Sequence, residues 1–330
     1  MTNVSALNLV PVRQGQTQAQ AIQSMVGLAQ EVERLGYVRY WIAEHHNMPT
    51  LVSSATQLLI GHALANTSTI RVGSGGVMLP NHSPLMVAEQ YGTLETLHPG
   101  RVDLGLGRAP GTDMRTAAAL RRGPRDTAET FPEDVRELQR YFGDMDVQGP
   151  VKAFPGLGLK VPLYILGSST ESAWLAASLG LPYVFAAHFA PRMLEMAVDI
   201  YRREFRPSEV LEKPHFTVCL NVIAADTDEE ARFLQTSQQQ FFLNVVRHAG
   251  NPLLPPVPSM DGIWTEAEAA AAAQMMACSL VGSAASVKQQ YQQLQERLRA
   301  DEIMVVSYIF DEQKQYRSYR MFRDIVAEQG

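Results

Sequence analysis

The sequence predicts an α/β fold, a (β/α)8 TIM barrel with insertions after the fourth and seventh strands. Eight short apolar segments alternate with longer amphipathic segments, which is typical of a parallel barrel. Each apolar segment is bounded by glycine, proline or polar residues, as expected for strands buried on both faces. The 330 residues, 46% of them hydrophobic, suit one barrel domain spanning 1–330. A doubly wound open sheet remains the alternative, because alternation does not show closure.

The predicted strands follow one another at intervals that leave room for a helix between them. They span residues 6–10, 37–43, 69–76, 101–107, 161–167, 181–187, 216–225 and 302–310. The first helix is predicted over 17–35, where apolar residues recur on one stripe and Gly36 follows as a C-terminal cap. Similar patterns predict helices over 53–65, 84–97, 131–142, 170–179, 191–205, 227–247 and 285–299.

Two connections are longer than a loop and one helix require. They cover residues 108–160 and 226–301, and we interpret both as insertions. The second contains an alanine-rich tract, 267–282, that predicts a helix too weakly apolar to span a bilayer. It also contains a Pro/Gly-rich segment, 250–262, expected to be a mobile loop. Since loops after barrel strands lie on the catalytic face, both insertions are expected to overhang an active site.

Composition makes several classes of protein improbable. The net charge is −6, and no lysine and arginine cluster of the kind that follows nucleic-acid phosphates is present. Cys219 and Cys278 occur in unrelated contexts, which argues against a disulfide framework or a zinc–thiolate site. The first fifteen residues do not resemble a secretory signal. We therefore expect a cytoplasmic protein.

Glu44, His45 and His46 stand together where the second predicted strand ends, which is the catalytic rim of a barrel. Three interpretations compete: a metal site, structural histidines and a general acid/base. Neighbouring residues on a strand point to opposite faces, so the two imidazoles are badly placed to share one ion. A histidine titrates near neutral pH, which favours the acid/base interpretation.

Three further stretches end predicted strands with residues suited to a large anionic ligand. Gly73, Gly75 and Gly76 remove side chains after the third strand, so either an ordinary turn or a flat ligand lies close to the backbone. Arg108 ends the fourth strand, where it is either a solvated charge or a phosphate ligand. Hydroxyl residues over 168–172 open a helix, as ordinary caps or as an anion site.

The stretches AEHHN (43–47), VGSGGVMLPNHSPLMVAEQYGTLETLHPGRVDLGLGRAPGTD (72–113) and LGSSTESAWLAASLGLP (166–182) resemble the luciferase-like flavin monooxygenases, the family of bacterial luciferase. The resemblance implies a barrel that binds reduced FMN non-covalently, receives it from a separate flavin reductase and uses oxygen to oxidise a small organic substrate. His45 matches the active-site histidine, and Gly75-Gly76 matches a non-proline cis peptide beneath the flavin ring. The implied flavin-binding residues are Gly75, Gly76, Arg108, Ala109, Pro110, Ser168, Ser169 and Ser172.

The resemblance also implies a homodimer, in which Glu89 of one subunit reaches toward His46 of the other. Apolar residues on the two helices predicted over 53–65 and 84–97 support this expectation: Leu58, Leu59, Ala63, Leu85, Met86 and Leu94. The sequence departs from luciferase at Gly107, where luciferase has a reactive cysteine, and a second phosphate-binding arginine has no clear counterpart in 114–126. The alternatives are a deazaflavin-dependent oxidoreductase of the same fold and a non-catalytic flavin-binding protein.

Overall fold

Eight parallel strands close into a barrel in the computed structural model, which describes residues 2–109, 111–120 and 129–329. Each barrel strand pairs in parallel with the next, and β6 pairs with β7 to close the ring in the order β1-β2-β3-β4-β5-β6-β7-β9. The predicted barrel is therefore confirmed. The strands are β1 (Asn3–Asn8), β2 (Arg39–Ile42), β3 (Arg71–Met78), β4 (Val102–Gly107), β5 (Leu163–Gly167), β6 (Tyr183–Phe185), β7 (Phe216–Ala225), β8 (Ser279–Ser283) and β9 (Glu302–Val306).

Helices cover the outside of the barrel. Buried apolar residues of the outward strand faces pack against them, whereas Leu7, Trp41, Tyr164, Cys219 and Met304 belong to a separate cluster inside the ring. The helices are α1 (Gln18–Arg34), α2 (Thr56–Ala65), α3 (Pro84–Leu97), α4 (Met114–Leu120), α5 (Phe131–Phe142), α6 (Thr170–Leu179), α7 (Leu194–Glu204), α8 (Asp228–Arg247), α9 (Glu266–Met275), α10 (Ala284–Leu298) and α11 (Glu312–Ala327). None of the helices in the described ranges is long and apolar enough to cross a membrane.

The connection between β7 and β9 differs from the sequence prediction. The alanine-rich helix α9 ends at Met275, and Ser279–Ser283 forms β8, which pairs with the second half of β7 from Asn221 to Ala225. Burial alternates with a period of two along β8, which is typical of a strand. The sequence analysis missed this strand because it follows the alanine run directly and was included in the predicted helix. Helix α11, which follows β9, was also not predicted. It begins after the Asp311 cap and buries one face against the barrel.

The Pro/Gly-rich segment 250–262 lies against the loop that follows β1. The Leu253 N–H donates to the Val12 carbonyl at 2.9 Å, and the Leu253 carbonyl accepts from the Gln14 N–H at 2.8 Å. Leu253 and Met260 are buried, and the Gln240 amide donates to the Pro255 carbonyl. These contacts do not support the expectation of a mobile loop, because backbone hydrogen bonds and buried side chains hold the segment at the mouth of the barrel.

A charged network fills the opposite, amino-terminal end of the barrel. Asp103 of β4 accepts from Arg39 at 2.8 Å and from the Trp41 indole at 3.1 Å. Arg39 also donates to Glu302 of β9 at 2.8 Å, and Arg71 donates to Asp103 at 2.7 Å. These paired charges of Arg39, Arg71, Asp103 and Glu302, the floor network, close the amino-terminal end of the barrel beneath the apolar interior. A ligand therefore enters from the carboxyl ends of the strands, where the predicted site residues lie.

Candidate active site at the carboxyl ends of the barrel strands

His45 follows β2 and is held at the mouth of the barrel by its backbone and its ring. Its N–H donates to the Ser53 carbonyl at 3.2 Å, and its ring is hydrogen-bonded to the backbone of Gly111. Its Nδ1 atom is enclosed and has no hydrogen-bond partner among the described residues. Burial lowers the pKa of His45 below its ordinary 6.5, and this outweighs the opposite influence of Gly111 and Glu44. The imidazole is therefore neutral at pH 7 and retains one ring nitrogen for a ligand.

Glu44 holds two other imidazoles. His46 and His82 each donate from Nε2 to the same Glu44 oxygen at 2.8 Å, and the Met78 N–H donates to the other at 3.1 Å. Burial raises the pKa of Glu44, but the hydrogen bonds from the two imidazoles lower it more, to about 2. The ligand atoms of these three residues lie within 4.8 Å of one another, a grouping that the sequence interpretation missed because His82 follows β3. His45 and His46 thus point to different sides, as their adjacency predicted.

The Gly75–Gly76 peptide on β3 is cis, as the resemblance implied. The glycines here allow β3 and β4 to approach each other closely. A Cβ atom on Gly76 would lie 2.8 Å from the Gly105 carbonyl oxygen, and one on Gly105 would lie 2.2 Å from the Ser74 carbonyl oxygen. Real Cβ atoms do not make such contacts with backbone, so side chains are excluded at both positions.

Arg108 and the start of α6 lie on the rim after β4 and β5, where the sequence predicted phosphate-binding residues. Arg108 and Ala109 are exposed, and Pro110 lies outside the described residues. Ser169 is the N-cap of α6, yet its side chain does not cap the helix. The hydrogen bond from Ser169 lowers the pKa of the Glu171 carboxyl, and the Arg108 charge adds to this effect. The Glu171 carboxylate is therefore influenced both by Ser169 and by the Arg108 charge.

The other two predicted serines differ in their roles. The Ser172 hydroxyl donates to the Ser169 carbonyl at 2.7 Å and lies 2.9 Å from the Tyr183 hydroxyl. A Cβ on Gly167 would lie 2.1 Å from that same Ser172 oxygen. Ser172 therefore shapes the turn between β5 and α6, and its hydroxyl is already engaged. Ser168 is partly exposed on the same turn.

The sequence profile of the luciferase-like monooxygenases matches residues 3–301. The chain belongs to this family. A luciferase-like monooxygenase of Escherichia coli strain K12 is 49% identical over 324 residues, covering 98% of this chain and 97% of the relative. An N-acetyl-S-alkylcysteine monooxygenase of Bacillus subtilis strain 168 is 37% identical over 237 residues, or 70% of each chain. The crystal structure of apo-MsnO8 superposes with a TM-score of 0.88 at 32% identity and covers 99% of both chains.

Two candidate functional residues of this luciferase-like barrel were not predicted from the sequence. His188 follows β6 and Asn221 lies near the middle of β7, and both are buried. The stretch VFAAHF (184–189) places a histidine shortly after an apolar strand, as WIAEHH (41–46) does. The rule that singled out His45 therefore also applies to His188. Asn221 has the weaker signal of an amide inside a strand that is otherwise apolar except for Thr217.

Proposed function

We propose that this protein is a reduced-FMN-dependent monooxygenase that uses molecular oxygen to oxidise a small organic substrate. We further propose that a separate flavin reductase supplies the reduced flavin. The observation that carries the proposal is the placement of an anion-accepting end, built from Arg108 and the start of α6, on the same barrel rim as the enclosed imidazole of His45. Family membership supports an oxygen-incorporating oxidoreductase.

The residues at the rim fit FMN at both of its ends. The Ser169 hydrogen bond and the Arg108 charge, which both lower the pKa of the Glu171 carboxyl, support the proposal that this end accepts a negative charge. The uncapped N–H groups of the first turn of α6 and the Arg108 guanidinium would hold the phosphate. The glycines of β3 and β4 let the two strands approach closely. We propose that the flat ring would lie beside this part of the rim. Bound reduced flavin supplies the two electrons that activate oxygen.

His45 provides the proton-transfer group in this proposal. Its neutral imidazole accepts a proton at one ring nitrogen while the other keeps its bond to the Gly111 backbone, which fixes the plane of the ring. The Nδ1 atom has no partner in the part of the chain that the structure describes, and it is therefore the atom that we assign to this exchange. The anchored segment 250–262 beside the mouth limits the entry of water.

The phosphate assignment predicts how Arg108→Ala changes flavin affinity. We expect FMN to bind about tenfold more weakly or worse, because a charge-assisted hydrogen bond contributes roughly 1.5–3 kcal/mol. Riboflavin, which has no phosphate, should bind the variant and the wild type equally. Titration of reduced and oxidised flavins by fluorescence measures both affinities.

Arg232→Ala is the matched control, because it removes an exposed arginine from α8, where it forms an exposed ion pair with Glu229. This control should leave both affinities unchanged. An equal loss of FMN and riboflavin affinity in Arg108→Ala, or no loss at all, would contradict the phosphate assignment. Two results together would favour a deazaflavin-dependent oxidoreductase: hydride transfer with a reduced deazaflavin, and no oxygen consumption with reduced FMN.

We also propose a homodimer whose interface includes the outer faces of α2 and α3. Leu58 is 75% exposed and Met86 is 57% exposed, whereas Leu59, Ala63 and Leu94, which the sequence placed on the same surface, are buried in the barrel. Leu58→Glu combined with Met86→Glu is expected to give a monomer by light scattering at micromolar concentration, because two charges would be buried in the interface. Val210→Glu, at a comparably exposed position elsewhere, is the control. A monomeric wild type would contradict the proposal.

A further inference from the structure

The residues after β6 and the middle of β7 include two polar side chains that the proposed flavin site does not use. The proposed flavin residues lie on β3, β4 and the turn after β5, and His45 follows β2. In the closed ring of eight strands, β2 and β6 are four positions apart and therefore face each other across the mouth. His188 follows β6, so it approaches the centre of the mouth from the side opposite His45.

Asn221 has one half of its amide fixed and the other half free. It lies two residues after Cys219, which faces the barrel interior, so alternation along β7 directs Asn221 inward as well. Its Nδ2 donates to the His188 carbonyl at 2.6 Å, which sets the orientation of the amide. Its Oδ1 is buried, and no residue within 2–109, 111–120 or 129–329 forms a hydrogen bond with it. Asn221 therefore presents a hydrogen-bond acceptor to the interior.

His188, whose carbonyl holds the Asn221 amide, has a second free polar atom in its ring. The residue is 7% exposed, its ring packs edge-on against Phe189 at 5.0 Å between centroids, and its Nδ1 has no partner among the described side chains and backbone. Burial lowers the pKa of His188 to about 3, and the nearby His45 adds to this effect. The imidazole is thus neutral, with one N–H donor and one acceptor nitrogen.

Apolar side chains dominate the rest of the inner cluster at this end of the barrel. Val306 and Tyr308 of the β9 side belong to it, and Phe241 of α8 stacks on Tyr308 at 4.3 Å between ring centroids. Buried polar atoms in such surroundings are unfavourable unless a partner is present, and nearly all of those in folded proteins have one. His188 Nδ1 and Asn221 Oδ1 therefore need a hydrogen-bond partner that the described part of the chain does not supply.

We propose that His188 and Asn221 bind the polar group of the substrate, and that this group carries an N–H or O–H which donates to Asn221 Oδ1. A secondary amide fits best, because its N–H donates to Asn221 while its carbonyl accepts from the His188 imidazole. The remaining apolar wall would hold an alkyl or aryl portion of the same molecule. This inference deepens the proposed monooxygenase function and rests on it for the identity of the reaction, but the binding site itself does not require flavin.

The test compares N-pentylpentanamide with pentyl pentanoate, an ester of nearly the same shape that has no N–H. Isothermal titration of the wild type without flavin should show at least about tenfold tighter binding of the amide, because the ester leaves Asn221 Oδ1 unpaired. Asn221→Leu, which preserves the side-chain volume, should bind the two compounds equally, and His188→Phe should weaken the amide selectively. Asn251→Leu, in an exposed segment, should behave as the wild type does.

Equal affinity for amide and ester in the wild type would overturn the proposal, and so would a failure of both to bind up to their solubility limits. An unchanged preference for the amide over the ester in Asn221→Leu would also overturn the proposal. FMN affinity, measured separately, should not change in the two variants. If the wild type binds the amide selectively but does not bind FMN, the monooxygenase proposal fails while the His188–Asn221 site stands.

Discussion

Replacement of His45 by alanine is expected to reduce the oxygenated product formed per reduced flavin by about 10²–10⁴-fold, the usual contribution of a positioned proton-transfer group. FMN binding should remain nearly unchanged, because the phosphate ligands that we assign lie on Arg108 and α6. Flavin oxidation should continue, and hydrogen peroxide should replace the product. The measurement is a single-turnover reaction with enzymatically reduced FMN, in which product and hydrogen peroxide are both quantified with a substrate that the wild type oxidises.

The pH profile separates proton transfer from mere packing. Burial holds the pKa of His45 below 6.5, although Glu44 and the Gly111 backbone raise it in part and His46 lowers it. A base must be unprotonated, so product yield in the wild type should stay level as the pH falls from 7 through 6.5 and decline only below that value. In His45→Ala this acidic decline should be absent.

His98→Ala is the control for the loss of an imidazole. His98 follows the carboxyl end of α3, which faces the amino-terminal side of the barrel and is remote from the mouth. The product yield of the His98→Ala variant should match that of the wild type. If His45→Ala keeps the wild-type ratio of product to hydrogen peroxide, His45 is a packing residue and the acid/base interpretation is wrong.

The parts of this molecule that could be predicted from sequence are those with a local physical cause. Apolar runs such as 216–225, buried on both faces, indicate a parallel sheet covered by helices, so this sheet was predictable. Its closure into a barrel was implied by the family resemblance and not by the pattern. His45 and Arg108 were predictable as rim residues, because each directly follows a strand whose end the sequence marks clearly. The glycines at 75 and 76 were likewise visible as positions without side chains.

The parts that could not be predicted depend on contacts between distant segments. Strand β8 forms only because the second half of β7 extends beyond the ring and offers an edge, and the alanine run before it favours a helix. Glu44 accepts a hydrogen bond from His82, which lies 38 positions away in the sequence, and no local pattern reveals this contact. Asn221 and His188 become a pair only when β6 and β7 close the ring. Composition also misled at 250–262, where Leu253 anchors a segment whose prolines and glycines suggested mobility.

Asp103→Ala is expected to lower the free energy of unfolding by about 3–5 kcal/mol, the usual cost of removing one partner from a buried ion pair. Asp103 has no exposed surface and accepts hydrogen bonds from Arg39 at 2.8 Å and from Arg71 at 2.7 Å. The variant would leave the buried Arg39 with Glu302 as its remaining carboxylate, and it would leave the Trp41 indole N–H without its acceptor. Urea denaturation gives the change as a shift in midpoint at constant slope.

Asp226→Ala provides the matched control, because Asp226 also forms an ion pair with an arginine, Arg317, but both side chains are more than half exposed. Solvent and salt screen such a pair, so the midpoint should barely move. Asp103→Asn should lie between the two, since an amide keeps the shape and one acceptor but not the charge. Equal midpoints for Asp103→Ala and Asp226→Ala would mean that the floor network adds no net stability. Because β4 carries Asp103 at the floor and ends at Gly107, just before Arg108 at the rim, a destabilised floor should also weaken FMN binding in the folded variant, whereas Asp226→Ala should not.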